Sequence, residues 1–217
     1  MWVAALLGLG LGIVLNATAD WMFRDAEHMP AQRLRILRWS ALTLLVTSLC
    51  VYLQHGYGWN FHFVTLLTYC GLLLLIGVID LEHRLVPDVL IALGMLLAAA
   101  FNAIHPMPGL AAALLGAALG GGVFLVQAVL GRGAMGAGDV KLAALIGMMT
   151  GFPWVMQALV LGIILGGAVA ALLLVTRVRG RREHIPYAPY LVAGAIVTLL
   201  YGTRIAAWYA GLRGGKG

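Results

Sequence analysis

The sequence predicts an all-α polytopic membrane protein, built as a bundle of about eight transmembrane helices. Hydrophobic residues make up 62% of the 217-residue chain and charged residues only 10%, and the mean hydropathy is +0.97. Apolar runs follow one another along the whole chain, with only short polar connections between them. This composition excludes a soluble globular protein and leaves no room for a sizeable soluble domain. We therefore expect a single integral membrane domain over residues 1–217.

Four apolar runs in the first half of the chain predict the first four spans. No basic segment precedes the first run, so we expect a retained helix rather than a cleaved signal peptide. The polar segment 20–39 after it is a short loop without cysteine. Pro87 fits the first turn of the fourth span, with Asp88 as its cap. The predicted spans are residues 2–19, residues 40–52 or 36–52, residues 63–79, and residues 87 to about 104.

Four further helices are predicted after a turn at residues 105–109, where two prolines stop the preceding helix. Glycines four residues apart, at positions 116 and 120 and again at 162 and 166, predict helices that pack closely against a neighbour. The predicted helices are residues 110–130, a short helix from residue 139 or 140 to about 153, residues 154–176, and a last span that ends near residue 208.

The sixth helix follows a glycine cluster, Gly136-Ala137-Gly138-Asp139. Its ~12 residues would cover ~18 Å, well below the ~30 Å of a bilayer core. The helix is therefore short or incomplete, or the Gly-x-Gly-Asp loop lies within the membrane. Non-helical backbone at that depth requires surrounding protein or a water-filled cavity, which Asp139 would then face. The alternative is that Asp139 is an ordinary N-cap of a membrane helix.

Basic residues predict the orientation in the membrane. The odd-numbered loops, which follow the first, third, fifth and seventh predicted spans, hold eleven Lys and Arg residues. The even-numbered loops, together with the last span and the tail, hold three. By the positive-inside rule the odd loops are cytoplasmic and both termini lie outside. This distribution also accounts for the net charge of +6, so we expect no nucleic-acid partner. It places Asp80 and Asp139 on the same, cytoplasmic side, together with Asp20, Glu82 and Asp88.

Two carboxylates on one side of the membrane suit aspartic hydrolysis. A close pair shares one proton, so the ionised member activates water and the protonated member polarises a peptide carbonyl. Metal hydrolysis is disfavoured, because the six histidines are scattered and no His-Glu-x-x-His occurs. A serine or cysteine nucleophile is disfavoured too. Ser40 and Ser48 lie in one predicted span, and Cys50 and Cys70 lie in apolar runs as packing residues.

These residues together resemble the type IV prepilin peptidases, which are membrane aspartic proteases of the Gly-x-Gly-Asp type. The resemblance covers roughly residues 63–200. It includes the segment Ile-Pro-Tyr-Ala-Pro-Tyr at 185–190, which is similar to the Ile-Pro-Phe-Gly-Pro segment before the family's last helix. By this resemblance Asp80 and Asp139 are the catalytic pair. The supporting motif residues are Pro87, Asp88, Gly136, Gly138 and Lys141.

The resemblance also implies partners and location. The substrates are prepilins of type IV pili or pseudopilins of type II secretion, cleaved at the cytoplasmic face of the bacterial inner membrane, and the lipid bilayer surrounds the enzyme. Many bacterial members bind zinc through two Cys-x-x-Cys pairs in the first loop and also N-methylate the product. Residues 20–39 hold no cysteine, so we expect no metal, and S-adenosylmethionine as cofactor only if methyltransferase activity is retained. The oligomeric state stays open.

Two alternatives remain. The first is another intramembrane Gly-x-Gly-Asp protease, a relative of presenilin or signal-peptide peptidase, although Ile79 rather than tyrosine precedes Asp80. The second is a non-enzymatic membrane transporter or assembly factor that uses Asp80 and Asp139 for protons or substrate. No interrupted helices at corresponding positions in the two halves support it.

Overall fold

The computed structural model describes residues 1–24, 32–106, 108–131, 136–176 and 187–214. Every regular element within these ranges is an α-helix, which confirms the predicted fold class. The helices are α1 (Trp2–Met22), α2 (Gln32–Tyr57), α3 (Phe61–His83), α4 (Asp88–Ile104), α5 (Leu110–Leu130), α6 (Ala137–Thr150), α7 (Trp154–Val175) and α8 (Ala188–Gly214).

Six of these described helices are long and apolar enough to cross a membrane, namely α1, α2, α3, α5, α7 and α8. The chain is therefore a multi-pass membrane protein. The helix α4 has 17 residues and α6 has only 14. At 1.5 Å per residue α6 is about 21 Å long, which confirms the prediction of a short helix after the Gly-x-Gly-Asp motif.

The polar segment 20–39 differs from the predicted loop. The helix α1 continues through Met22, and α2 already begins at Gln32, so the segment is helical at both of its described ends. The physical reason is that Asp20 and Arg38 find each other as partners, which allows charged residues to stay in packed helix ends. Residues 25–31 lie outside the described part of the chain.

The chain divides into two compact units, Met1–Leu85 and Val86–Gly217. In the first unit α3 packs on both α1 and α2. The helices α1 and α2 approach closely because α1 presents glycines: a Cβ on Gly8 would lie 2.6 Å from the Cα of Thr47. The buried Asn16 side chain also joins these helices, since its Nδ2 donates to the Thr43 hydroxyl at 3.2 Å.

In the second unit α6 contacts α4, α5, α7 and α8. Its closest contact is with α5, where the backbone of Gly116 lies directly against that of Gly147 and leaves no space for a Cβ on either residue. The helices α7 and α8 meet in the same way, because a Cβ on Gly194 would lie 2.5 Å from the amide nitrogen of Gly162. The predicted glycine pairs therefore pack helices closely, and through α5 they fix the position of α6.

Candidate active site

Asp80 lies in the last turn of α3 and is only 6% exposed. The helix ends there because Arg84 adopts the left-handed conformation, with φ 53° and ψ 37°. The amide of Arg84 donates to the carbonyl oxygen of Asp80 at 2.9 Å. The helix cap therefore fixes the backbone of Asp80, and burial restricts its carboxyl group to the protein interior.

A set of charged residues, which we call the Arg38 cluster, surrounds the same end of the first unit. It consists of Asp20, Arg38, Trp39 and Glu82. The guanidinium of Arg38 is paired with Asp20 on α1 and, at 2.7 Å, with the Oε2 of Glu82 on α3. The indole of Trp39 donates to the second oxygen of Asp20 at 3.1 Å. The cluster thus joins the ends of three helices two residues beyond Asp80.

His83 adds a further contact at this end of α3. Its ring stacks on Phe23, with a centroid separation of 3.9 Å and an angle of 9° between the ring planes. Its Nε2 lies 3.9 Å from the Oε2 of Glu82. Because residues three apart share one side of a helix, His83 lies one turn beyond Asp80 on a neighbouring part of the helix surface.

Asp139 lies in the first turn of α6, in the second unit, and is half-buried. Gly136 is the N-cap, and the amide of Asp139 donates to the carbonyl of Gly136 at 3.1 Å. The prediction that α6 begins at residue 139 or 140 is therefore wrong, as is the alternative of Asp139 as N-cap. The carboxylate nevertheless lies at the positive end of the helix dipole, which favours a negative charge.

The glycine motif has a packing role within the helix. Gly138 is part of α6, and a Cβ at this position would lie 3.0 Å from the Cβ of Val86, the residue before Pro87. Any side chain larger than hydrogen would push this first turn away from Val86. The glycine is therefore required for close approach. Residues 133–135, which precede this motif, lie outside the described ranges.

Tyr187 is the residue whose ionisation responds to Asp139. It lies just before α8, and its pKa is raised above the usual tyrosine value, first by burial and second by the negative charge of Asp139. The ring packs against Phe124, with 6.1 Å between the ring centroids. It also occupies space that a side chain on Gly166 would fill. Ile185 and Pro186, which precede it in the family-like segment, lie outside the described residues.

Asp88 does not serve as the predicted cap of α4. Pro87 occupies the N-cap position, and Asp88 is the first helical residue. Its carboxylate instead accepts a hydrogen bond from the ammonium of Lys141 at 2.7 Å, which connects the starts of α4 and α6. The side chains are 71% and 48% exposed, so this ion pair is worth at most about 1 kcal/mol.

The structure thus brings together part of the predicted set within each unit. In the first unit, Glu82 and Asp20 meet around Arg38 near Asp80. In the second unit, Asp88 pairs with Lys141, and Gly136 and Gly138 position the first turn that carries Asp139. The pairing of Asp80 with Asp139 stays a prediction.

Two residues of these sites did not stand out in the sequence. Arg38 counted there only as a basic residue of the predicted loop, and Tyr187 only as part of the Ile-Pro segment. The signal for Arg38 was its expected location on the same side as Asp20 and Glu82, since a cation beside two carboxylates forms an ion pair. The signal for Tyr187 was that this chain has a tyrosine at the position where the Ile-Pro-Phe-Gly-Pro segment has phenylalanine.

The residues present do not fit a zinc site made of two Cys-x-x-Cys pairs. Segment 20–39 has no cysteine, and Cys50 and Cys70 are buried in α2 and α3. Within the described ranges, no group of three or more His, Cys, Asp or Glu side chains is arranged to hold a metal ion.

Comparison with known proteins identifies similar chains. The family model of the type IV leader peptidases matches residues 67–171, a range that contains both Asp80 and Asp139. The prepilin leader peptidase/N-methyltransferase of Bacillus subtilis is 30% identical over 167 residues, which cover 76% of this chain and 67% of that protein.

Two further relatives carry the same name. The protein of Xanthomonas campestris is 30% identical over 204 residues, covering 89% of this chain and 70% of its own length. The protein of Pseudomonas aeruginosa is 36% identical over 170 residues, which cover 74% of this chain and 57% of that protein. The chain therefore spans between 57% and 70% of the length of these three relatives. No solved structure gives a significant match.

Proposed function

The chain belongs to the type IV leader peptidase family, and we propose that it is a membrane-embedded aspartic endopeptidase that removes the leader peptide of type IV prepilins or type II secretion pseudopilins. The observation that carries the proposal is that, of the three aspartates within the family match, the two that are not exposed, Asp80 and Asp139, each lie in a terminal turn of a helix. Asp80 ends α3 and Asp139 begins α6. The similar proteins named as prepilin leader peptidases support the substrate class.

The proposed reaction uses Asp80 and Asp139 as one unit that holds a single proton. The ionised carboxylate accepts a proton from water as the water oxygen attacks the scissile carbonyl carbon. The protonated carboxyl group donates its proton to the carbonyl oxygen, which gives a neutral tetrahedral diol. Collapse of the diol breaks the C–N bond as a proton passes to the amine. The pair ends with one proton, and neither residue has a fixed role as acid or base.

We propose further that the reaction takes place at the cytoplasmic face of the bacterial inner membrane, with both chain termini outside. The excess of Lys and Arg in the odd-numbered connections supports this orientation. The local clusters agree with a common side within each unit, since Asp20 lies near Glu82 and Asp88 lies near Lys141. The surrounding partner is the lipid bilayer, and cleavage itself requires no cofactor.

The direct test is cleavage of a purified prepilin by the purified chain in detergent. We expect Asp80→Asn and Asp139→Asn each to reduce the rate by about 10⁴-fold or more, because asparagine keeps the size of the side chain but cannot hold the shared proton. The double variant should be no worse than either single variant, since residues that act as one unit are not additive.

The matched control is Asp88→Asn, which makes the same chemical change in an exposed carboxylate. It removes one surface ion pair and should leave measurable activity. Substantial turnover by either Asp80→Asn or Asp139→Asn, in protein that inserts and purifies normally, would show that the two aspartates are not the catalytic pair.

A further inference from the structure

Arg38 is a buried cation at the end of the first unit. Its side chain is 7% exposed, and its two terminal nitrogens pair with carboxylates of different helices, Asp20 and Glu82. Its Nε is buried without a hydrogen-bond partner among the described residues. A buried ion pair often gives no more stability than well-packed apolar residues of the same size. Stability alone is therefore a weak explanation for a buried charge at this position.

The position of Arg38 relative to Asp80 indicates that use. Glu82, its partner on α3, is the second residue after Asp80 in the same helical turn. The next residue, His83, is held by stacking on Phe23. The last turn of α3 is thus attached on two sides, and its end is closed by the hydrogen bond from Arg84 to the carbonyl of Asp80. Together these contacts fix the turn that carries the Asp80 carboxyl group.

The charges of the cluster lie at the same end of α3 as Asp80. Around the end of α3, the helices α1 and α2 of the same unit contribute Asp20, Arg35 and Arg38, and α3 itself contributes Glu82 and His83, with Arg84 at its cap. Within the Arg38 cluster, two carboxylates and one guanidinium give a net charge of −1. Loss of Arg38 would leave two uncompensated carboxylates at this end of α3, and negative charge there opposes the ionisation of Asp80.

We propose that Arg38 is a positioning residue for Asp80, which holds the last turn of α3 through Glu82 and keeps the negative charge around the Asp80 carboxyl group low enough for it to ionise. This role rests on the proposed peptidase function, in which Asp80 must exchange a proton during each turnover. In this role the Arg38 cluster influences the ionisation of Asp80, but it does not take the place of Asp80 in the reaction.

The test is a titration of the Asp80 carboxyl group in the folded chain, which requires no substrate. The chain has five aspartates, so ¹³C labelling of their side-chain carboxyl carbons gives five signals in detergent, and Asp80→Asn identifies the one from Asp80. The variants are Arg38→Gln, Glu82→Gln, the double variant with both changes, and Arg38→Lys. Arg33→Gln is the matched control, because Arg33 is an exposed arginine of the same helix.

Opposite changes of charge should move the titration midpoint of Asp80 in opposite directions. We expect Arg38→Gln to raise it by about 0.5 to 1 pH unit, and Glu82→Gln to lower it by a similar amount. The double variant has the same cluster charge as the original chain and should return close to its midpoint, as should Arg38→Lys. If Arg38→Gln does not fold, the downward movement in Glu82→Gln decides the question.

Cleavage kinetics separate positioning from a merely structural role. Arg38→Gln should lower kcat by about tenfold or more with little change in KM, shift the pH profile upward, and be partly rescued by Arg38→Lys. Equal midpoints in all folded variants would overturn the role of Arg38, even if the chain cleaves prepilins as proposed. If the chain cleaves no prepilin, the proposed function fails, whereas the titration still decides whether Arg38 controls Asp80.

Discussion

Asp139 and Tyr187 lie far apart in the sequence, yet the charge of one residue affects the ionisation of the other. Burial and the carboxylate of Asp139 both raise the pKa of the Tyr187 hydroxyl, so it stays protonated at neutral pH. A neutral hydroxyl near Asp139 can donate a hydrogen bond to a substrate group. The sequence motif identifies Asp139, whereas the fold of the second unit adds Tyr187 to its surroundings.

The influence of Asp139 on Tyr187 can be measured directly. We expect Asp139→Asn to lower the pKa of Tyr187 toward the usual tyrosine value, although burial still keeps it raised. The measurement is the tyrosinate absorbance during a pH titration, taken as the difference between chains with and without Tyr187→Phe. Asp88→Asn removes an equal charge and should leave the Tyr187 titration unchanged. An identical titration in Asp139→Asn would contradict the electrostatic contact.

The same raised pKa has a consequence for stability. Tyr187 binds its proton more tightly in the folded chain than in the unfolded chain. Its contribution to stability is therefore complete below the usual tyrosine pKa, and it is lost as the pH rises through the raised pKa of the folded chain. At neutral pH the stability of the second unit should not respond to this group.

At the scale of helices, the close contact of α5 with α6 determines where Asp139 is held. Gly116 and Gly147 place the two backbones in direct contact, and Gly120 lies directly against the backbone of Ala143. The helix α6 buries most of its residues and is too short to be positioned by the bilayer alone. Packing against α5 is therefore the main constraint on the helix whose first turn carries Asp139.

Two glycines of α5 provide a matched test of this constraint. A Cβ on Gly116 would overlap the carbonyl oxygen of Gly147, whereas a Cβ on Gly122 would have no atom within 4 Å. We expect Gly116→Ala to destabilise the protein by about 1–3 kcal/mol through overpacking and to reduce cleavage. Gly122→Ala should be neutral or stabilising by up to about 1 kcal/mol, because alanine favours the helix.

The measurement is unfolding in detergent, followed by circular dichroism, together with the cleavage rate of each variant. Equal stability of Gly116→Ala and Gly122→Ala would show that α5 and α6 can move apart without lowering the free energy of unfolding. In that case the short helix would have to be held mainly by its contacts with α4, α7 and α8.

At the scale of the whole molecule, the distribution of basic residues predicts the orientation of the spans. A reporter fused after Arg182 should be cytoplasmic, and one inserted within residues 56–60 should be external. The reason is that the odd-numbered connections hold eleven basic residues and the opposite side with the last span and tail holds three. Complementary enzyme fusions, active on opposite sides of the membrane, measure both positions. The reverse pattern would place both aspartates on the wrong side for the proposed substrates.

A second prediction for the whole molecule concerns metal and methyl donor. We expect strong chelators to leave prepilin cleavage unchanged, because a carboxylate pair needs no metal and segment 20–39 has no cysteine to bind zinc. With labelled S-adenosylmethionine, we expect little methyl transfer to the cleaved product. Mass measurement of the product checks both outcomes. Chelator-sensitive cleavage would contradict the dyad mechanism, and stoichiometric methylation would show that this activity does not require the cysteine-containing loop.

The sequence by itself determined the fold class, the order of the helices and the two aspartates proposed for catalysis. Hydropathy is a property of consecutive residues, so α5 has the predicted bounds and α4 ends at the predicted Ile104. The shortness of α6 also follows from local sequence, because glycine and proline bound its apolar run. These features depend on neighbours along the chain, which a single sequence displays completely.

Only the tertiary structure decided which polar residues meet. Arg38 pairs with residues 18 and 44 positions away, and the first turn of α6 approaches Val86 closely at Gly138. The helices α1 and α2 extend into the polar segment, where Arg38 pairs with Asp20. Asp88 likewise pairs with Lys141 on α6 and does not cap α4. Such pairings depend on how the helices rotate and approach one another, and in a chain this apolar the hydrophobic pattern hardly distinguishes one face of a helix from another.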